Sequence, residues 1–187
     1  GSLALMRDII MSIRVPAALL VIDLQHGLFR KSTPIFRAGP LLDTIDALIE
    51  RARAAGALVV MVQHASDKVL PYGSPDWQLH PRLHPADVDL IVHKQHGNAF
   101  EDTPLHAELA GREIGRLVLS GLVTHGCVRA TCLGALALSY DVVLAGDGHS
   151  SYSKDAAKLI DEWNRKLGEA GAAVLPAAQI EFTPPAR

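Results

Sequence analysis

Leu117-Val118-Leu119-Ser120-Gly121-Leu122-Val123-Thr124-His125-Gly126-Cys127-Val128 opens with an apolar run and leads into a helical pattern, Arg129 through Tyr140. A short continuous apolar run bounded by glycine reads as a strand buried on both faces. Such a strand entering a helix is the repeating unit of a parallel α/β sheet. Cys127 stands at the strand-to-helix junction. A sulfur at the positive end of a helix is expected to favour thiolate, the form that attacks carbonyls.

The same alternation extends in both directions. Ala17 to Asp23 reads as a buried strand, Leu58 to Gln63 as a second and Leu90 to His93 as a shorter third. Arg116 to Ser120 is the fourth, Val142 to Gly146 the fifth and Ala173 to Leu175 the sixth. Leu41, Leu42, Ile45, Leu48, Ile49 and Ala52 share one helical face, and Gly56 ends that helix. Thr103 can cap a helix running to Ala110. Cys127 to Tyr140 reads as a helix. A further helix carries Ala157, Ile160, Trp163 and Leu167 on one face and stops at Gly171. The expected fold is a three-layer α/β/α sandwich around a mostly parallel, roughly six-stranded sheet. Val69 to Pro85, rich in proline and without a period, reads as a long loop near a site or an interface.

Bulk properties narrow the function classes. The chain has 187 residues and a net charge of -2. That suits one domain, residues 17–187, after an extension over residues 1–16, and offers no surface for nucleic acid. Gly1-Ser2 has the look of an expression scar. No apolar run is long enough to span a membrane. Arg7 and Asp8 interrupt the apolar residues between Leu3 and Ile13, so no signal-peptide layout is expected. Cys127 and Cys132, five apart on one expected helix, would face apart and stay reduced, in keeping with the cytoplasm.

In open parallel sheets ligands bind beyond the carboxyl ends of the strands. Asp23 closes the first strand, Lys94 closes the third, and Cys127 follows the fourth. Each alone has an ordinary explanation as a turn residue, a solvated cation or an inert thiol. Together they supply a base, a cation and a nucleophile from segments that this sheet type brings together.

Three stretches carry a family resemblance. They are Leu20-Val-Ile-Asp23-Leu-Gln25, then Lys94-Gln-His-Gly-Asn-Ala-Phe100-Glu-Asp-Thr103-Pro-Leu105, then Gly121-Leu-Val-Thr124-His-Gly-Cys127-Val128. In this order and spacing the chain resembles the isochorismatase-like cysteine hydrolases from about Ala17 to Phe182. Gly146-Asp147-Gly148-His149-Ser150 is similar to that family's segment after the fifth strand. The resemblance implies a catalytic triad of Asp23, Lys94 and Cys127. Asp23 would be the general base, Lys94 the cation that favours the thiolate, and Cys127 the nucleophile that forms a thioester. It further implies an oxyanion hole from the N–H groups of Val123 and Cys127, a cis Leu122–Val123 bond, a small-molecule substrate and a homo-oligomer.

Metal-dependent nicotinamidases of the family carry an Asp-x-His segment where this chain has Gln63-His64-Ala65. His64, His80 and His84 lack a tight ligand spacing. No metal and no cofactor are therefore expected, and no glycine-rich dinucleotide fingerprint follows the first strand. Gln25, Phe29, Trp77, Phe100 and His125 are candidates for substrate contact, with core packing the alternative for Phe29 and Phe100. His149 and Cys132 read as structural. The expected activity is amide or ureide hydrolysis through a Cys127 thioester. The rivals are vinyl-ether hydrolysis that uses Asp23 without acylation, and an idle member that only binds a ligand or partner.

Overall fold

A computed structural model of the protein describes residues 1–5 and 15–182. The N-terminal extension therefore lies, over residues 6–14, outside the described residues, as do residues 183–187. Six strands form one sheet, β1 (Ala17–Ile22), β2 (Leu58–His64), β3 (Leu90–Lys94), β4 (Arg116–Leu122), β5 (Asp141–Ser150) and β6 (Ala173–Leu175). Their order is β3-β2-β1-β4-β5-β6, and every neighbouring pair is parallel. Helices α1 (Ala38–Ala54), α2 (Leu105–Gly111), α3 (Arg129–Ala137) and α4 (Ala156–Ala170) pack on the sheet.

Alternation along the strands divides the core. Leu19, Val21, Val59, Met61 and Val118 point to one face, where they pack on Leu41, Ile45, Leu48 and Ile49 of α1. Ala18, Leu20, Ile22, Val60, Leu117 and Leu119 point to the other, against Leu105 and Leu109 of α2, Cys132 and Ala135 of α3, and Leu167 of α4. Both faces are covered, so the strands read as unbroken apolar runs. The helix stops fall at glycines with positive φ, Gly56 at 71° and Gly171 at 124°. The N-cap of α2 is Pro104 rather than the expected Thr103, whose Oγ1 nonetheless accepts from Leu105 N at 3.3 Å.

The elements depart from expectation in two places. The fifth strand does not stop at Gly146. It runs to Ser150, because β5 rejoins β4 after a register break: Leu119 pairs with Leu144, but Gly121 pairs with His149. Ser120 thus faces the excursion Ala145–Gly148, and the Gly-Asp-Gly-His-Ser stretch lies within the strand. Cys127 does not start a regular helix either. It lies in a wide turn, Thr124–Val128, whose Gly126 has φ −114° and ψ −108°, and α3 begins only at Arg129. Cys127 and Cys132 therefore sit on different elements.

Strand order places the site. β1 lies at the point where connections diverge, with β2 on one side and β4 on the other. The crevice beyond their carboxyl ends is where open α/β sheets bind ligands. Gly121 lets the two strands close up here. Its φ is 121°, and a Cβ there would lie 2.1 Å from the carbonyl oxygen of Ile22. Gly121→Ala is expected to cost about 4 kcal/mol or more, or to prevent folding. Gly39→Ala in α1, where a Cβ meets nothing within 4 Å, is expected to be neutral or stabilising by up to about 1 kcal/mol. Urea unfolding of the two variants tests both values; a Gly121→Ala protein as stable as the parent would refute this account of the junction.

Candidate active site

Asp23 follows β1, Lys94 ends β3, and Cys127 lies in the turn after β4. Two strand spacings, about 4.8 Å each, separate β3 from β1. A long side chain is needed to cross them, and Lys94 supplies it. Its side chain is fully buried, and its Nζ lies 3.2 Å from Asp23 Oδ2, 3.2 Å from Cys127 Sγ, 3.0 Å from the His96 carbonyl and 2.9 Å from His64 Nδ1. His64 is Lys94's register partner on β2, so the ammonium passes directly over it. A lysine presents three donors and no acceptor, so four close partners share one cation.

Asp23 is also buried. Its backbone takes a left-handed φ of 52°, with its N–H donating to the Val62 carbonyl at 3.0 Å. Oδ2 faces Lys94, while Oδ1 is buried without a hydrogen-bond partner. Burial raises the Asp23 pKa above the usual carboxylate value, and the charge of Lys94 only partly opposes this. Burial also lowers the pKa of His64, with Lys94 adding to the effect. A neutral imidazole can accept the Lys94 N–H at Nδ1.

The thiol corrects the expectation of a resting thiolate. Burial, reinforced by the negative charge of Asp23, pushes Cys127 up to about 12, and Lys94 offsets this only in part. At neutral pH Cys127 therefore rests as the thiol. The wide turn leaves the sulfur short of the first residue of α3, so no well-formed helix end compensates.

The family model described as isochorismatase domain matches residues 17–177, nearly all of the sheet and the three strand-end residues. The chain belongs to the isochorismatase family. A streptothricin hydrolase from Streptomyces noursei is 34% identical over 182 residues, covering 90% of this chain and 65% of the relative. Another match to a protein of that name and organism covers 61% of the relative, so the chain spans under two thirds of the length of both. A ureidoacrylate amidohydrolase from Klebsiella pneumoniae is 27% identical over 169 residues, covering 70% of this chain and 72% of that one. A solved isochorismatase family protein superposes with a TM-score of 0.76 at 29% identity, covering 85% of this chain and 97% of its own.

Within this isochorismatase-family site the remaining candidates sort by what their side chains touch. Gln25 turns its amide to the backbone. It is fully buried, accepts from His64 N at 2.9 Å, and donates to the His64 carbonyl at 3.0 Å and the Trp77 carbonyl at 2.8 Å. Gln63 donates to the same Trp77 carbonyl at 3.1 Å. Two buried amides thus pin the long loop at Trp77. The Trp77 ring meets Tyr72 and His93 at centroid distances of 4.6 and 4.9 Å. Tyr72 and His93 line a cleft of about 250 Å³ that also includes Lys94, Gln95, His96 and Asp102. Phe100 is not in that wall; it stacks on Tyr140 at 5.7 Å and packs on the core beside α2 and α3. Phe29 sits edge-on to His80 at 4.6 Å. His125 adjoins Cys127 in the turn, and its Nδ1 is buried without a partner. Leu122–Val123 is cis.

The three histidines weighed as metal ligands do not converge. His64 lies on Lys94, His80 packs on Phe29, and the His84 carbonyl accepts from Arg53 at 3.1 Å. A carboxylate oxygen of Asp23, a ring nitrogen of His64 and Cys127 Sγ do lie within 4.8 Å of one another. The Lys94 ammonium is bonded to all three, so a cation already occupies their centre. His64 was considered in the sequence only as a ligand; its pairing with Lys94 depends on strand register, which the sequence does not display.

Two outcomes test this electrostatic picture. With iodoacetamide, Cys127 is expected to label before Cys132, which has 0% exposure and is likewise pushed up to about 12. Both are expected to react slowly at pH 7, and the Cys127 rate should still be climbing at pH 10; a plateau near pH 7 by peptide mass spectrometry would contradict a protonated resting thiol. Lys94→Met is expected to destabilise the fold by about 3–5 kcal/mol at pH 7 by stranding Asp23. Asp23 in that variant has a folded pKa above its unfolded one, so the lost stability should return as pH falls through the folded value and be absent above it. Denaturant melts at pH 5 and 7 that show equal losses would refute this.

Proposed function

We propose that the protein hydrolyses a carbon–nitrogen bond of a small amide or ureide through an acyl-enzyme on Cys127. The observation that carries this reading is the Lys94 ammonium lying 3.2 Å from both Asp23 and Cys127. Similarity to relatives named as a streptothricin hydrolase and a ureidoacrylate amidohydrolase supports the same bond class.

The chemistry follows from the resting protonation. The Asp23 carboxylate, with an oxygen within 4.8 Å of the sulfur, takes the Sγ proton as sulfur attacks the substrate carbonyl. A thiol pushed up to about 12 gives up its proton only as the new C–S bond forms. Its raised pKa makes Asp23 a stronger base than an ordinary carboxylate. The oxyanion is received by the N–H groups of Val123 and Cys127; losing such a donor costs about 2.7–4 kcal/mol in the barrier. Asp23 then returns the proton to the departing nitrogen, the C–N bond breaks, and a thioester remains. Water attacks the thioester, giving its proton to Asp23; the C–S bond breaks and sulfur recovers the proton. Lys94 holds the carboxylate, stabilises the sulfur anion as it forms and is itself held by His64 and the His96 carbonyl. Tyr72 and His93 border the cleft beside Lys94, with Trp77 packed behind them. The same reading includes a cytoplasmic homo-oligomer that uses no metal or cofactor and acts on neither nucleic acid nor membrane. Among the described residues no helix is long and apolar enough to cross a membrane.

A screen of amides and ureides, read by ammonia or amine release, is the test. Cys127→Ala is expected to remove turnover while keeping the fold, and Asp23→Asn to reduce it by a factor of about 10³ or more. The acidic limb of kcat/KM should fall at a pH above 3.8, the ordinary carboxylate value, since activity requires Asp23 ionised. Full turnover by Cys127→Ala would favour hydrolysis without acylation and reject this reading.

A further inference from the structure

The motif Gly146-Asp147-Gly148-His149-Ser150 plays no part in the chemistry above, yet it carries a buried polar chain that ends at the nucleophile's turn. His149 is 2% exposed. Its Nε2 lies 2.7 Å from Asn164 Oδ1, and its Nδ1 lies 2.8 Å from Thr124 Oγ1. Asn164, on α4, donates from Nδ2 to the Gly146 carbonyl at 3.0 Å.

The direction of every bond in this chain is fixed. The Gly146 carbonyl can only accept, so the Asn164 amide is oriented with Oδ1 toward the histidine. Oδ1 accepts, so His149 carries its proton on Nε2. Burial disfavours the charged imidazole, which leaves Nδ1 bare. Thr124 Oγ1–H must then donate to it. Thr124 is fully buried and is the first residue of the wide turn that ends at Val128, and Cys127 follows three positions later. The register break that returns β5 to β4 at Gly121 and His149 brings the imidazole to that turn.

We propose that the Asn164–His149–Thr124 chain is a positioning device for Cys127, setting the turn so that the sulfur and the Val123 and Cys127 N–H groups meet the substrate carbonyl together. It rests on the reading of Cys127 as the nucleophile. His149 and Asn164 are positioning residues, since Thr124 stands between them and the reacting atoms. Misplacing reacting groups by about 1 Å can cost a factor of about 10² in rate. The chain therefore acts on kcat rather than on substrate affinity.

Thr124→Val removes the hydroxyl at nearly constant volume, and Thr124→Ser keeps it. With an amide substrate found as above, Thr124→Val is expected to lose roughly tenfold or more in kcat with KM within about twofold, while Thr124→Ser stays within about twofold in both. Asn164→Ala, at the far end, is expected to lose kcat in the same manner. The double variant should lose little beyond the larger single loss, because one chain is being broken twice. A lowered melting temperature with parental kcat in Thr124→Val would overturn the proposal, leaving only a structural role, as would equal impairment by Ser and Val or fully multiplicative losses. Should Thr124→Val fail to fold, Asn164→Ala decides, and parental kcat there overturns it. Failure of the nucleophile reading is recognised separately, by full turnover in Cys127→Ala.

Discussion

The site depends on a buried cation. Lys94 carries a charge into the carboxyl-end crevice, and three surrounding groups respond to it. Its charge partly opposes the upward push that burial gives the Asp23 pKa, and it adds to the lowering that burial gives His64, whose ring accepts an N–H. Cys127 Sγ lies 3.2 Å from the same ammonium, where the proposed reaction would develop negative charge. A buried ion pair is weak support for stability, because desolvation of both charges offsets their attraction. Its worth here is chemical. In the proposed reaction, a carboxylate with a raised pKa beside a thiol with a raised pKa would let a proton move between them as the substrate carbon takes up the sulfur's electrons.

The sheet makes that arrangement possible. Strand order sets β1 at the divergence of the chain, so Asp23 stands between elements from both halves. Gly121 admits the Ile22 backbone so closely that no side chain fits, and the cysteine turn follows. On the other side, Gln25 and Gln63 use their amides on the His64 backbone and the Trp77 carbonyl, tying the long loop to the ends of β1 and β2. The proposed reacting groups are few; the residues that hold them come from the end of β1, from β2 and β5, and from α4.

Much of this was legible in the sequence, for a physical reason. Buried parallel strands must be apolar on both faces, so six strands and the glycine stops at Gly56 and Gly171 appear as composition. Asp23, Lys94 and Cys127 were legible because polar residues interrupt apolar runs at strand ends. What lies across strands was not. The end of β5 was misplaced at Gly146 because a register break leaves a strand of glycine and polar residues with no apolar period. Spacing shows Gln25 as a polar residue near the site without showing that its amide bonds the His64 backbone and the Trp77 carbonyl. Phe100 was grouped with the site through the Lys94 motif, whereas its ring turns to Tyr140. The thiolate expectation failed because it weighed a helix end and a lysine but could not weigh burial, the larger effect on Cys127.

Partition of the acyl group tests the central claim most directly. With a substrate that turns over, increasing hydroxylamine should divert the acyl group from water to hydroxylamine. Amine release should continue undiminished, since a thioester on Cys127 would already have formed. Amine release accompanied by no acyl transfer to hydroxylamine at any concentration would contradict an acyl-enzyme, and with it the role assigned to Cys127.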